Sequence, residues 1–293
     1  MPDSMDAMVD KFDVAKGRFG VGVFPKVEGE KVDAHWYPKE DTLLVHSTTK
    51  PISVFGSDAG VKGTIVITPG GMSADGSVTF GQEELASKEF KFSDTKMSAP
   101  ETQISIASID KKILAFASAD INSSIDFESK KGVFRANGES ADVLMGYNSY
   151  KTSLKEFYWD LNTKEVLMGS KSAGKAETHF ASTDSDQHGF EFDAKWASFK
   201  LKDYTIDAGG VEKVITADAY VYPDSMRLSG CCEWKLSNFD FMTGFSCFCF
   251  CETNAGYLRI AICTTWNIVI VNAMCFMSGN EFGTNNTFRR CFV

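Results

Sequence analysis

Apolar and polar residues alternate with a period of two from about Val21 to Tyr222. A β-strand sends successive side chains to opposite faces, so this rhythm predicts strands with one face buried. Ala119, Ile121, Ser123, Ile125 and Phe127 fall on one face, with Asp120, Asn122, Ser124 and Asp126 on the other. Val133, Arg135 and Asn137 alternate with Phe134, Ala136 and Gly138. Phe157, Trp159 and Leu161 share a face, as do Phe190, Phe192, Ala194 and Trp196, and Ile215, Ala217, Ala219 and Val221. Pro69-Gly70-Gly71, Asp75-Gly76, Asn137-Gly138 and Gly209-Gly210 read as turns between the runs. No amphipathic helix longer than three turns is predicted, and the body reads as all-β.

Three segments align as a repeat: residues 125–138, 159–170 and 197–210. With Phe127, Leu161 and Phe199 as origins, a lysine follows three residues on (Lys130, Lys164, Lys202). An apolar residue comes seven on (Phe134, Met168, Ile206) and a small one nine on (Ala136, Ser170, Ala208). Each copy predicts a strand, a polar turn carrying lysine, and a return strand. Its register is fixed because a one-residue slip would turn the apolar face to water.

The stretch ADINSSIDFESKKGVFRANGESADV (119–143) resembles the repeat of the OstA-like family of periplasmic lipopolysaccharide-transport proteins. The resemblance lies in Ala119-Asp120, Ile125-Asp126, Lys130-Lys131, Phe134, Ala136 and Gly138, and in the Ala-Asp-Ala step of VITADAYVYP (214–223). The copy at 197–210 departs from it, with Ser198 in place of the aspartate. From about Asp33 to Pro223 the body is similar to large envelope proteins of Bacteroidetes-type bacteria that carry such segments. The resemblance implies stacked antiparallel strand pairs, like a β-taco, jelly roll or solenoid, with an apolar groove inside and ends open to edge pairing. It also implies a periplasmic or outer-membrane setting, with lipid or glycolipid chains and other β-edge envelope proteins as partners. Ile125, Phe127, Phe134, Phe157, Trp159, Leu161, Met168 and Ile206 are the candidate groove residues; the plain alternative is that they fill a solid core.

Composition divides the 293-residue chain at Met226. Residues 1–225 hold 60 charged residues, all seven prolines and no cysteine; residues 226–293 hold nine charged residues, no proline and all eight cysteines. The expected organisation is a disordered or truncated lead-in over 1–20, a repeat-like β domain over 21–225, and a Cys/Phe-rich tail of uncertain structure over 226–293. The start MPDSMDAMVDKFD lacks the basic and apolar regions of a secretory signal. The tail admits several readings: a disulfide module, a zinc site around Cys231-Cys232 and Cys247, Cys249 and Cys251, or a membrane span over the uncharged residues 260–280. A non-native extension from a frame change is a fourth.

A net charge of −9 and only six arginines argue against a nucleic-acid partner. GSKSAGKA (169–176) spells G-x-x-x-x-G-K, but Ala176 stands where a P-loop needs Ser or Thr, and no helix is predicted to follow. Ser172 to Lys175 spells S-x-x-K without the companion elements of a penicillin-binding protein. His35, His46, His179 and His188 lack ligand spacing, although His35 and His46 flank Pro38 and could meet across a hairpin. No cofactor or catalytic residue is therefore assigned. The expectation is a non-enzymatic envelope scaffold, or a lipid-chain binder, acting through an apolar groove and strand edges. The alternative is a carbohydrate-active or carbohydrate-binding β-solenoid using Trp36, Tyr37, Tyr147, Tyr150 and Tyr158 with nearby carboxylates; a solvent-facing aromatic row would favour sugar, and burial the scaffold.

Overall fold

The computed structural model describes residues 3–108, 113–170, 178–187, 189–216, 219–223, 226–230, 245–253, 256–263 and 268–269. They are almost entirely β, and the contacts divide into two compact units. The first comprises residues 1–147 and 154–166, the second residues 148–153 and 167–293.

The first unit contains β1 (Met5–Val14), β2 (Gly17–Phe19), β3 (Gly22–Phe24), β4 (Val27–Tyr37), β5 (Thr42–His46), β6 (Ile52–Val54) and β7 (Ala59–Thr68). It continues with β8 (Gly71–Phe80), β9 (Glu83–Phe92), β10 (Lys96–Ala107), β11 (Leu114–Asp126), β12 (Lys131–Ala136) and β13 (Ala141–Met145). β14 (Tyr150–Leu154) lies mainly in the second unit, and β15 (Glu156–Asp160) returns to the first. Antiparallel ladders run β1–β4, β7–β8–β9–β10–β11 and β11–β12–β15. Between β4 and β7, β5 and β6 act as two halves of one interrupted strand, each pairing with both neighbours.

One line of irregularities crosses the rungs from β4 to β13. Lys31 in β4 has a left-handed backbone (φ 49°), and residues 47–51 separate β5 from β6. Gly63 and Gly76 face each other at φ 149° and 109°; a Cβ on Gly63 would collide with the Asp75 carbonyl oxygen. The ladders then shift register beside Asp75, between Ala99 and Thr102, and again after Thr102. Asp120 is left-handed (φ 55°), and residues 137–140 separate β12 from β13. Bulges and left-handed residues bend strands, so this line is a corner at which the sheet folds on itself. Phe116, before the corner of β11, thereby meets Phe157 on β15, whose ladder joins the half after it (ring centroids 5.4 Å).

The corner resets the alternation. In β11 the buried positions before it are Ala115, Phe116 and Ser118 and those after it Ile121, Ser123 and Ile125, so the even-numbered face is buried up to Ser118 and the odd-numbered face from Ile121, and Ala119 is exposed. The row predicted to include Ala119 therefore begins at Ile121. Asp75-Gly76 and Asn137-Gly138, predicted as turns, are corner positions; Pro69-Gly70 is a hairpin turn as expected. Three further hairpin turns of this unit use four residues ending in a left-handed one: Pro38 to Asp41, Phe127 to Lys130, Leu161 to Lys164. Asp126 and Asp160 open two of these turns, each Oδ1 accepting N–H bonds two and three residues on (2.9–3.2 Å).

Within the segment expected to be a disordered or truncated lead-in, residues 5–14 form a strand that pairs with β4 at nine positions. Charged residues fall on both faces of this segment, which hid its strand rhythm; the backbone ladder forms regardless.

The second unit holds β16 (Glu165–Gly169) for its greater part, then β17 (Thr178–Ser182), β18 (Glu191–Ala194), β19 (Trp196–Lys200), β20 (Thr205–Gly209), β21 (Val214–Thr216), β22 (Ala219–Val221) and β23 (Arg227–Gly230). Its ladders run β14–β17–β18–β21–β22 and β19–β20–β23. Here the corner breaks the strands: Lys195 separates β18 from β19, and residues 210–213 separate β20 from β21. After Lys195 burial falls on both faces, at Ala197, Ser198 and Phe199, while Trp196 is half-buried and leaves the predicted row. In β21, Val214 and Thr216 are buried and Ile215 is half-buried, one position off the predicted face; Ala217 lies outside the described residues. The third repeat copy also moves: its turn is Leu201 to Tyr204, with Tyr204 left-handed, two residues later than the Phe199 origin predicts.

In the tail, β24 (Phe245–Thr253), β25 (Gly256–Cys263) and β26 (Ile268–Val269) form a three-stranded antiparallel sheet. Cys247, Cys249 and Cys251 fall on β24, while Cys231 and Cys232 lie outside the described residues. Of the uncharged run 260–280, residues 260–263 and 268–269 are strand and the others lie outside the described residues. Among the described residues no helix is long and apolar enough to cross a membrane.

Candidate functional site

Of the predicted groove residues, Ile125, Phe127, Phe134, Phe157 and Trp159 are brought together in the first unit. Phe134 stacks on its cross-strand partner Phe157 (4.8 Å), Trp159 lies 6.2 Å from Phe134, and Phe80 touches both Phe127 and Trp159. Met168 and Ile206 sit in the second unit. Seven of the eight are 0–7% exposed, and Leu161 is half-buried. The rings fill one another's space.

The repeat lysines act at the turns. Lys130 Nζ reaches Asp58 Oδ2 at 2.6 Å, beside the stack of Phe55 on Phe127 (4.4 Å). Lys164 lies near Glu83, a buried carboxyl that also accepts the Gln82 N–H at 2.8 Å. Burial pushes Glu83 above the usual carboxylate range, against the backbone N–H groups and Lys164, which pull it down.

A cleft of about 800 Å³ follows the corner of the first unit, floored by Gly63, Gly76, Ala86 and Ala119 and edged by His46, Asp75, Lys88, Glu101 and Asp120. The fold already uses part of this polar set: Thr64 N–H donates to Asp75 Oδ1 (3.0 Å), Asn137 Nδ2 donates to Asp120 Oδ1 (3.1 Å), and His46 Nδ1 lies 3.2 Å from Thr64 Oγ1. Sequence reasoning missed this cleft because its marker, Asp75-Gly76, carries the signature of a turn.

The histidines do not converge. His35 stands opposite Leu44 and His46 opposite Asp33, so the two do not face each other across the hairpin. His35 pairs with Asp6, His179 sits between Asp193 (2.8 Å) and Glu191 (3.7 Å), and His188 lies outside the described residues. No three His, Cys, Asp or Glu side chains are grouped to hold a metal among the described residues. GSKSAGKA also lies outside them from Lys171 onward. The candidate sugar-binding aromatics are dispersed: Trp36 and Tyr158 are exposed on β4 and β15, Tyr37 and Tyr147 are half-buried, and Tyr150 is buried. Tyr158 donates to Glu156 Oε1 at 2.7 Å.

β1 is unlike every other long strand. Among the described strands of ten residues or more, it alone has no buried residue. Its register places Met5 opposite Trp36, Ala7 opposite Ala34, Val9 opposite Val32 and Val14 opposite Val27. Asp13 faces Glu28, and Lys26, ion-paired with Glu28 at 2.9 Å, offsets their like charges. Two ion pairs, Asp6 with His35 and Asp3 with Lys39, tie the segment to β4 and its turn. Met5 and Met8 remain more than half exposed. β1 is held chiefly by backbone hydrogen bonds.

Compared with known proteins, the chain matches no family model, no curated protein and no solved structure.

Proposed function

We propose that this protein is a non-enzymatic scaffold, in the envelope setting that the OstA-like resemblance implies, and that it works by strand-edge pairing with other β proteins. The observation that carries this reading is β1: ten residues, none buried, attached through its ladder to β4. An unprotected strand offers backbone donors and acceptors to another strand. The packed aromatic row supports it in a second way, because its rings pack on one another as a core does. Lipid chains, the other implied partner, would have to displace rings that already touch one another.

Paired proline variants test it. Adjacent residues of a strand point their N–H groups to opposite edges, so of Met8→Pro and Val9→Pro one removes a bond to β4 and the other a donor on the outer edge. Sedimentation of the full chain across a concentration series is expected to show association that one of the two variants weakens: the outer-edge variant if a partner strand adds beside β1, the β4-facing variant if it takes the place of β1 on β4. A chain that stays monomeric throughout, alone and with envelope extracts, overturns the reading.

A further inference from the structure

We propose that β1 is an exchangeable strand, and that the partner of the β4 edge is the β1 of a second copy of this chain, docked in the register seen within one copy. The inference rests on the edge-pairing reading and names its partner.

β1 has no buried residue of its own, and Val9, Phe12 and Val14 are half-buried, so leaving costs its backbone ladder, part of the cover over Val27 and Val32, and the Asp6–His35 and Asp3–Lys39 pairs. A second copy returns each of these interactions unchanged, so exchange is nearly neutral per contact and is driven by concentration.

The pivot is identifiable. The β2–β3 hairpin is fixed to the body where the N–H groups of Val21 and Gly22 donate to the Pro69 carbonyl (3.2 and 3.0 Å). Only Ala15 and Lys16 separate this hairpin from β1, and both are exposed. A rotation there would swing an arm about 33 Å long at roughly 3.3 Å per residue. Short hinges of this kind favour exchange between copies.

Side-by-side addition of two β1 strands fits less well. A two-fold axis normal to the sheet keeps faces matched, so it must centre on a residue. Centring on Met8 sets Asp6 against Asp10, and centring on Asp10 sets that aspartate against itself. Centring on Val9 sets Asp6 against Phe12 and Asp13 against Met5. Docking on β4 instead offers His35 and Lys39 to Asp6 and Asp3.

Ala7 and Ala34 stand directly opposite each other, at a separation that cysteines can bridge. Full-length Ala7→Cys and Ala34→Cys chains are purified separately, mixed, incubated and oxidised, and the linked peptides are read by mass spectrometry, which separates them from tail-cysteine products. The chain carrying both substitutions reports that the geometry and the fold are intact. The expected result is a disulfide between positions 7 and 34 joining two chains, rising at least about tenfold over either variant alone and increasing with concentration. Ready closure within the doubly substituted chain with no link between mixed chains overturns the exchange. If the chains associate in sedimentation without that link, edge pairing stands and exchange falls; if they neither associate nor link, both fall.

Discussion

Each unit turns a corner, and the balance of means differs. In the first, β7, β8, β10 and β11 pass through it as continuous strands of 10 to 13 residues, using Gly63, Gly76, a bulge at residues 100–101 and left-handed Asp120, while β5 and β6, and β12 and β13, break there. In the second, the strands stop at the corner and restart, and none from β16 to β23 exceeds five residues. The contrast extends to polar satisfaction. Among the described residues of the first unit, Trp159 Nε1 is the buried side-chain atom without a hydrogen-bond partner. In the second these are Asn148 Oδ1, Thr152 Oγ1 and both amide atoms of Gln187. A corner made by one special residue keeps the ladder whole; a corner made by interruption asks side chains to finish what the backbone leaves open.

Matched core truncations should test this contrast most strongly. Phe134→Ala and Phe180→Ala each remove a fully buried ring that stacks on a cross-strand neighbour. Each is expected to cost about 3–5 kcal/mol in urea unfolding. Hydrogen exchange should localise the damage, to β11, β12 and β15 for the first and to β14, β17 and β18 for the second. Before any substitution, the amides of β14, β17 and β18 should already exchange faster than those of β7 to β11. Equal protection would break the contrast.

The next effect separates the two ways of turning. Gly63→Ala places a methyl against the Asp75 carbonyl, a backbone atom that cannot move aside, and is expected to cost about 1–3 kcal/mol. Gly210→Ala meets the flexible side chain of Lys195 instead and should cost less. Thermal unfolding of the two variants decides it, and the reverse order would show that the interrupted corner is the more tightly specified.

The smallest effect depends on pH. Burial raises the Glu83 carboxyl, so its ionisation is disfavoured in the folded state. Stability attributable to this group is therefore full below the ordinary carboxylate range and falls as pH climbs from there through the raised folded value. Glu83→Gln keeps an acceptor for Gln82 and removes the charge. Urea midpoints of variant and parent should agree at the acidic end and diverge above that window, with the variant more stable. Divergence in the opposite sense would mean that the charge of Lys164 outweighs burial.

Most of the architecture was legible as a rhythm. Phe157 and Trp159, Phe190 and Phe192, and Ile121 to Phe127 lie on the buried faces that their spacing predicts, because burying one face of a pleated strand leaves little choice of register. The corners were harder to see. A glycine or a left-handed aspartate inside a strand has the same local chemistry as one between strands, so Asp75-Gly76 was misplaced and the phase slip at Asp120 went unseen. β1 escaped notice for another reason: with nothing to bury, it carries no apolar period. The cleft and the β4 edge depend on which rungs lie side by side, and that adjacency is a property of long-range pairing that no local pattern reports.

The shared corner of the first unit also limits how such a gene can change. Inserting one residue between a hairpin turn and Gly63 or Asp120 would shift half a strand against two neighbours whose corners stay where they were. Length is tolerated only in the turns, beyond the ends of the ladder. A duplication or loss of a whole hairpin, corner included, leaves the alignment of every surviving rung intact. Lineages carrying this fold should therefore differ by complete hairpins and by turn length, and seldom by single residues within a rung.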